Sequence, residues 1–200
     1  DTQKHDELLQ RGVDFRGKVN VDDLSFMGHS FGGATAAHAI HKMKPTCMVL
    51  HDPATDWIPD KTRVLLFSKE RLKGVQKGYD GGTGGLDYDT KSGTKTDDGA
   101  DVHAVNMIIL SSSQWLSLNW GSAQVLQEMS NLGHLGLDSS ISKLHVIDAA
   151  YHNEFSDSCM MTPLWLARAV GVTGKRSPLL TAHEIHIRTV GFLETAREAK

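Results

Sequence analysis

The sequence lacks the features that mark several functional classes. Lysine and arginine together number 21 against 24 aspartates and glutamates, and the formal net charge is −3. No basic stripe is present to neutralise phosphates, which argues against a nucleic-acid partner. No apolar run approaches the roughly 20 residues that a membrane-spanning helix needs.

Cysteine is also scarce, with two residues in 200. Cys47 begins an apolar run and is expected to be a buried free thiol. A disulfide between Cys47 and Cys159 stays open as an alternative, so the sequence leaves both a secreted and a cytoplasmic location open. The remaining composition, 40% hydrophobic and 22% charged, is that of an ordinary globular protein of one domain.

Short apolar runs alternate with helical segments along the chain, which predicts an α/β fold with a doubly wound, mostly parallel sheet. The predicted strands are 24–27, 47–50, 107–110 and 144–147. The predicted helices are 4–11, 31–43, 122–132, 160–170 and 181–198, and the segment 61–72 fits either state. Within this single unit of residues 1–200, the glycine-rich stretch at about 73–101 is predicted to be a poorly ordered insertion.

The strongest motif is Gly-His-Ser-Phe-Gly at residues 28–32, between a predicted strand and a small-residue helix. This pattern is typical of a nucleophile elbow, in which a sharp turn exposes the serine hydroxyl. Side chains two residues before and after Ser30 would collide in such a turn, so Gly28 and Gly32 are both expected to be required. The backbone N–H of Phe31 would begin the helix and donate to an oxyanion.

A serine nucleophile needs a base, and the base needs a carboxylate that orients it. In folds of this kind the order along the chain is serine, acid, histidine. Asp52 directly follows the second strand and is the predicted acid, with Asp56 and Asp60 as competitors. His152 follows the last strand and is the predicted base. His145 lies inside that strand and His134 precedes it, so neither is as well placed as His152 to act as the base.

The other histidines give no convincing metal site, and neither a metal nor a cofactor is expected. His38 and His41 are three residues apart on a helix, with no carboxylate or cysteine at useful spacing. His183 and His186 are also three apart, whereas a zinc-protease helix needs four. Three tryptophans follow strand ends and could either line an apolar pocket or pack beneath a loop: Trp57, Trp115 and Trp120.

The segment Gly28-His-Ser-Phe-Gly-Gly-Ala-Thr35 resembles the nucleophile segment of the plasma and intracellular type II platelet-activating-factor acetylhydrolases. The resemblance covers most of the chain outside residues 60–104. Its further matches are Asp52, Trp57 and Pro59, the stretch 108–115, and His152, Phe155 and Asp157. It implies an α/β hydrolase that removes a short or oxidised sn-2 acyl group from phospholipids without calcium, with Ser30, Asp52 and His152 as its triad.

The resemblance also implies a lipid ester as substrate and peripheral contact with a membrane or lipoprotein. Members of this family have several strands before the nucleophile strand, and only about 23 residues precede Leu24 here. We therefore expect a second polypeptide to supply the N-terminal half of the fold and the second oxyanion donor. The alternatives are a chlorophyllase-type or other lipid esterase, suggested by Gly-His-Ser and Asp52-Pro53, and a non-catalytic partner subunit that retains the triad.

Overall fold

The computed structural model of the protein describes residues 20, 22–40, 42–59, 66 and 105–199. Three predicted segments lie outside these residues: the helix at 4–11, the ambiguous stretch 61–72 apart from Leu66, and the insertion at 73–101. The strands are β1 (Ser25–His29), β2 (Cys47–His51), β3 (Asn106–Ser112) and β4 (Lys143–Ile147). The α-helices are α1 (Phe31–Ala39), α2 (Ser113–Ser117), α3 (Ala123–Asn131), α4 (Leu164–Ala169) and α5 (Pro178–Glu198).

The four strands form one sheet in the order β1-β2-β3-β4, and every neighbouring pair is parallel. The predicted α/β class and parallel sheet are therefore confirmed at this level. Because all strands run the same way, their carboxyl ends lie along one edge of the sheet. Three short 3₁₀ segments near this edge, Thr55–Trp57, Trp120–Ser122 and His152–Phe155, follow β2, α2 and β4 in the chain.

Three helices differ from the sequence prediction by more than one residue at one end. Helix α1 ends at Ala39 rather than near residue 43, and the N–H groups of Lys42 and Met43 both donate to the carbonyl of Ala39 in a turn before Pro45. Helix α4 begins only after Pro163, which stands at its N-cap. Helix α5 begins at Pro178, three residues early, because proline suits the first turn, where its missing N–H is not needed.

Apolar side chains cover both faces of the sheet, as a parallel sheet requires. On one face, Met48 and Leu50 of β2 pack with Ala37 of α1 and with Leu126 and Met129 of α3. On the other face, Val49 of β2 and Ile108 of β3 pack with Phe192 and Ala196 of α5. Successive residues of β2 therefore alternate between two cores, which explains why the whole strand is apolar in sequence.

Strand β1 is less covered than its neighbour. Its residues are exposed or half-buried, whereas every residue of β2 is buried. Met27 is 55% exposed, although it pairs in register with the fully buried Val49. Among the described residues, β1 is an edge strand of the sheet.

Cys47 and Cys159 are both buried and are not joined by a disulfide, so the alternative of a disulfide between them is wrong. Among the residues that the structure describes, no helix has the length and apolar character to cross a membrane.

Candidate active site

The turn between β1 and α1 holds Ser30 in an unusual backbone conformation. Its φ is 55° and its ψ is −119°, a region that non-glycine residues rarely enter. The surrounding backbone holds it there: the N–H of Ser30 donates to the carbonyl of His51 at 2.9 Å, and its own carbonyl accepts from Ala54 at 3.0 Å. Strain of this kind persists only where neighbouring structure enforces it, and it clusters at functional sites.

The two glycines of the motif have different roles. A Cβ at Gly28 would lie 2.2 Å from the carbonyl oxygen of Gly32, so the expected collision is confirmed for this position. The expectation for Gly32 is wrong, because a Cβ there would meet nothing within 4 Å. The second crowded position is Gly33, where a Cβ would lie 3.0 Å from the Cβ of Pro53. Glycine is thus required at positions 28 and 33, where the backbone is crowded, and not at position 32.

The three residues predicted from the sequence lie together in one hydrogen-bonded series. Ser30 Oγ is 3.0 Å from His152 Nε2, and His152 Nδ1 is 3.1 Å from Asp52 Oδ2. These residues come from the carboxyl ends of β1, β2 and β4, up to 122 positions apart in sequence. In this arrangement the imidazole can accept the serine proton at one nitrogen while the carboxylate fixes the proton on the other.

Asp52 is fully buried, at 0% exposure, and its carboxylate is held by the end of β3. Ser112 donates to it twice, through its backbone N–H to Oδ1 at 2.7 Å and through its hydroxyl to Oδ2 at 2.6 Å. The hydroxyl of Ser111 donates to Oδ1 at 3.1 Å. The register explains this placement, because His51 pairs with Leu110, so the residues that follow each of them are also neighbours. A buried carboxylate is tolerable only with such donors.

His152 is held from three sides. Its backbone N–H donates to Gln114 Oε1 at 3.0 Å. The ring of Trp115 lies nearly parallel to its imidazole, with centroids 4.2 Å apart, and the ring of His29 lies 4.5 Å away at a 37° tilt. These contacts restrict the imidazole to the plane in which it reaches both Ser30 and Asp52.

Two further histidines beside the site stay uncharged at neutral pH. Burial lowers the pKa of His29, and the neighbouring His152 lowers it further. Burial also lowers the pKa of His51 to about 4, with a smaller contribution from His29. The paired positions of His29 and His51 on β1 and β2 place them side by side. The two histidines next to the hydrogen-bonded series therefore add no positive charge to the site at neutral pH.

The residues that competed with Asp52 and His152 for the roles of acid and base either lie outside the hydrogen-bonded series or belong to the part of the chain that is not described. Asp56 accepts a hydrogen bond from the hydroxyl of Ser122 instead of contacting His152. Asp60 lies outside the described residues. His145 is contacted by Arg188 Nη1 at 3.1 Å, and burial lowers its pKa. His134 carries a buried Nδ1 without a hydrogen-bond partner and is not in the series.

The described part of the chain contains no group of three or more histidine, cysteine, aspartate or glutamate side chains arranged to hold a metal ion. His41 lies outside the described residues. His183 and His186 both lie exposed on α5.

The three tryptophans have different environments. Trp115 is only 7% exposed and packs inside, against His152 and edge-on to Trp120. Trp57 is 71% exposed, and its ring lies 5.2 Å from that of Phe31, the residue that follows Ser30. Packing beneath a loop therefore describes Trp115, whereas the pair Phe31 and Trp57 forms an apolar rim beside the serine. The N–H of Phe31 lies at the first position of α1, where a helix has no internal partner for it.

The sequence analysis did not identify several residues that support the site. Ser111 and Ser112 could have been found, since a run of serines directly after an apolar strand stands at the same sheet edge as Asp52. His29 lies inside the motif but was not assigned a contact. Gln114 and Trp115 had no local signal for their packing on His152.

When the chain is compared with known proteins, it matches no family model and no curated protein.

Proposed function

We propose that this protein is a serine-dependent carboxylic-ester hydrolase of the α/β-hydrolase type. The observation that carries the proposal is the hydrogen-bonded series from Ser30 through His152 to Asp52, with links of 3.0 and 3.1 Å. The parallel sheet, the strained serine between strand and helix, and the order serine, acid, histidine along the chain support the same class.

Acylation begins when His152 Nε2 takes the proton of the Ser30 hydroxyl as the oxygen attacks the ester carbonyl carbon. The carbonyl oxygen becomes an oxyanion, and the N–H of Phe31 donates to it. Asp52 holds the imidazole in the tautomer that leaves Nε2 free and stabilises the imidazolium that forms. The tetrahedral intermediate then breaks its bond to the alcohol oxygen, which leaves with the proton from His152. The product is an acyl group on Ser30.

Deacylation repeats these steps with water as the nucleophile. His152 Nε2 takes a proton from the water as its oxygen attacks the acyl carbon, and the oxyanion again faces Phe31. Collapse of this intermediate releases the carboxylic acid, and the proton on His152 returns to Ser30 Oγ. The two steps together consume one ester and one water and release one alcohol and one acid.

For the substrate, we propose a lipid ester with a short or oxidised acyl group, as removed by platelet-activating-factor acetylhydrolases. The support is the motif resemblance together with the apolar rim of Phe31 and Trp57 next to the nucleophile. An exposed aromatic rim would contact an alkyl or acyl chain that a polar substrate lacks. Contact with a membrane or lipoprotein surface belongs to the same proposal.

We also propose that a further polypeptide segment pairs along β1. The support is the contrast between the half-exposed β1 and the fully buried β2, since strands of doubly wound sheets are covered on both faces. The pairing along β1 can be tested with residues 1–200 alone, by measuring the oligomeric state in analytical ultracentrifugation and the rate of ester hydrolysis. Self-association or weak activity is expected, and a stable monomer with full activity would contradict it.

A fluorophosphonate reporter provides the direct test of the function, because it reacts covalently only with an activated serine. We expect labelling at Ser30, found by peptide mass spectrometry, and hydrolysis of p-nitrophenyl acetate. Ser30→Ala should lose both, with a rate decrease on the order of 10⁴-fold or more, and should keep its circular dichroism spectrum. Ser113→Ala is the matched control, since Ser113 donates to the carbonyl of Ala150 outside the series. A folded wild type that neither reacts nor hydrolyses would instead favour the non-catalytic subunit.

A further inference from the structure

Glu154 is a carboxylate buried directly after the histidine of the series. It lies in the 3₁₀ turn His152–Phe155 and is 2% exposed. Its side chain does not take part in the hydrolytic steps above. A buried carboxylate is costly unless hydrogen bonds replace its water, so its contacts need an explanation.

Three donors satisfy this carboxylate, and all come from one neighbouring region. Oε1 accepts from the hydroxyl of Thr173 and from the N–H of Gly174, the latter at 2.6 Å. Oε2 accepts from the hydroxyl of Thr181 at 2.8 Å. Thr173 and Gly174 belong to the loop between α4 and α5, and Thr181 lies in the first turn of α5. Glu154 therefore ties the turn that carries His152 to the long helix that packs beneath the sheet.

The same loop also packs against the approach to His152. A Cβ at Gly174 would lie 2.3 Å from the carbonyl oxygen of Ala149 and 2.8 Å from Tyr151 Cδ1. The N–H of Glu154 in turn donates to the carbonyl of Tyr151 at 2.9 Å. The segment from Ala149 to Glu154 is thus held closely on one side, by contacts that do not involve Ser30 or Asp52.

We propose that Glu154 is a positioning residue for His152, an inference that rests on the proposed function. Its three hydrogen bonds fix the turn on α5, and the turn fixes the direction in which the imidazole leaves the backbone. Without them, the imidazole would lose its alignment with Ser30 and Asp52 while the substrate-facing rim of Phe31 and Trp57 stayed in place. Misplacement of about 1 Å can cost on the order of 10²-fold in rate.

The proposal predicts a specific pattern across variants of the full chain. Glu154→Ala should lower kcat by about 10- to 100-fold and leave KM close to that of the wild type. Glu154→Gln should restore most of kcat, since the amide oxygen can still accept at the Oε1 position and the amide nitrogen can donate to Thr181. Glu184→Ala is the matched control: Glu184, on the same helix, accepts from Arg188 and Arg176, and it does not bond the turn that carries His152.

A second readout separates this inference from the proposed function. The proton on His152 Nδ1, shared with Asp52, should give a downfield proton NMR signal that requires no substrate, and its loss in Asp52→Ala would assign it. We expect it to broaden or vanish in Glu154→Ala and to persist in Glu154→Gln and Glu184→Ala. If the wild type hydrolyses no ester, the function fails and this signal alone decides the role of Glu154.

A folded Glu154→Ala protein that keeps both kcat and the NMR signal overturns the proposal, and so does one in which Glu154→Gln is as impaired as the alanine variant. If Glu154→Ala does not fold, Thr181→Val decides, because it removes only the donor to Oε2. A lowered kcat or a weakened signal in the folded valine variant supports the proposal. Wild-type values for both overturn it.

Discussion

The ring of Trp115 lies nearly parallel to the imidazole of His152, with centroids 4.2 Å apart and planes 16° from each other. Helix α2, which carries Trp115, begins where β3 ends, so the serines that hold Asp52 and the ring that supports His152 come from one continuous segment. The backbone N–H of Trp115 donates to the hydroxyl of Ser112, which itself donates to Asp52. The acid and the base of the proposed mechanism are therefore positioned by the same piece of chain.

Replacing Trp115 should lower kcat more than replacing the neighbouring Trp120 does. Trp115→Ala removes the surface on which His152 rests, and we expect kcat for ester hydrolysis to fall on the order of 10- to 100-fold. The free energy of unfolding should fall by about 3–5 kcal/mol, as for other buried aromatic residues. Trp115→Phe should retain most of kcat, because a ring remains against the imidazole.

Trp120→Ala is the control for this experiment. Trp120 contacts Trp115 edge-on at 5.3 Å and is 46% exposed. Its loss should leave kcat close to the wild-type value. An equal decrease in kcat for the two alanine variants would show that the contact with His152 has no special role.

The two glycines of the motif should respond oppositely to alanine. Gly28→Ala brings a Cβ to 2.2 Å from the Gly32 carbonyl oxygen, against backbone that cannot move aside, so we expect a loss of at least about 1–3 kcal/mol. Gly32→Ala places its methyl in open space within α1 and should raise the free energy of unfolding by roughly 0.5–1 kcal/mol. Urea unfolding of both variants measures this. Equal destabilisation by the two changes would mean that both positions need glycine, as the sequence motif suggests.

Much of the fold could be predicted because its signals are local. Each of the four described strands is a short apolar run, and the small residues after Ser30 indicate a helix that packs closely on a sheet. The series itself could be predicted because the carboxyl ends of parallel strands share one edge, which brings Asp52 and His152 near the serine. The supporting contacts depend instead on register and on long-range packing. Nothing near Glu154 in sequence indicates that Thr173 and Thr181 will reach it.

Other features of the chain could not be predicted because they depend on local steric contacts, and one predicted feature lies outside the described residues. A side chain at position 32 is expected to collide within the sharp turn, but of the three glycines at positions 28, 32 and 33 only Gly28 and Gly33 are crowded. Pro45 predicts that helix α1 continues to residue 43, whereas the regular helix ends at Ala39 and a turn follows it. The insertion at 73–101 stays a prediction, since it lies outside the described residues.

The two aspartates that compete for the role of the acid can be separated by the same conservative change. Asp52→Asn keeps the shape of the side chain and its tolerance of positive φ, here 39°, but it cannot hold His152 in the productive tautomer. We expect kcat to fall on the order of 10⁴-fold. Asp56→Asn retains an oxygen that can accept from Ser122 and should leave kcat close to the wild-type value.

Rates of p-nitrophenyl acetate hydrolysis for the two asparagine variants measure this difference. Circular dichroism is needed to show that Asp52→Asn remains folded, because Asp52 accepts hydrogen bonds from both Ser111 and Ser112. A larger loss in Asp56→Asn would move the acid to that residue and leave Asp52 as a structural carboxylate.

The stability of the protein should depend on pH through the buried imidazole of His51. Burial, with a smaller contribution from the neighbouring His29, lowers the pKa of His51 from 6.5 to about 4, although Asp52 opposes the shift. Below pH 6.5 the unfolded chain therefore binds a proton at His51 that the folded protein takes up only near pH 4. The unfolded state binds more protons in this window, so the free energy of unfolding decreases as the pH falls from 6.5 to about 4. The contribution of His51 to this decrease is about 3 kcal/mol, and it does not change above pH 6.5.

His51→Gln isolates this contribution, because glutamine fills a similar space and does not titrate. Urea unfolding at several values between pH 4 and 7 should show a shallower decrease for His51→Gln than for the wild type. His186→Gln, which changes an exposed histidine on α5, should follow the wild-type curve. The imidazole of His51 has a buried Nε2 without a hydrogen-bond partner, so a proton there would meet no acceptor to offset the loss of water. Parallel curves for the wild type and His51→Gln would mean that His51 gains or loses its proton as easily in the folded protein as in the unfolded chain.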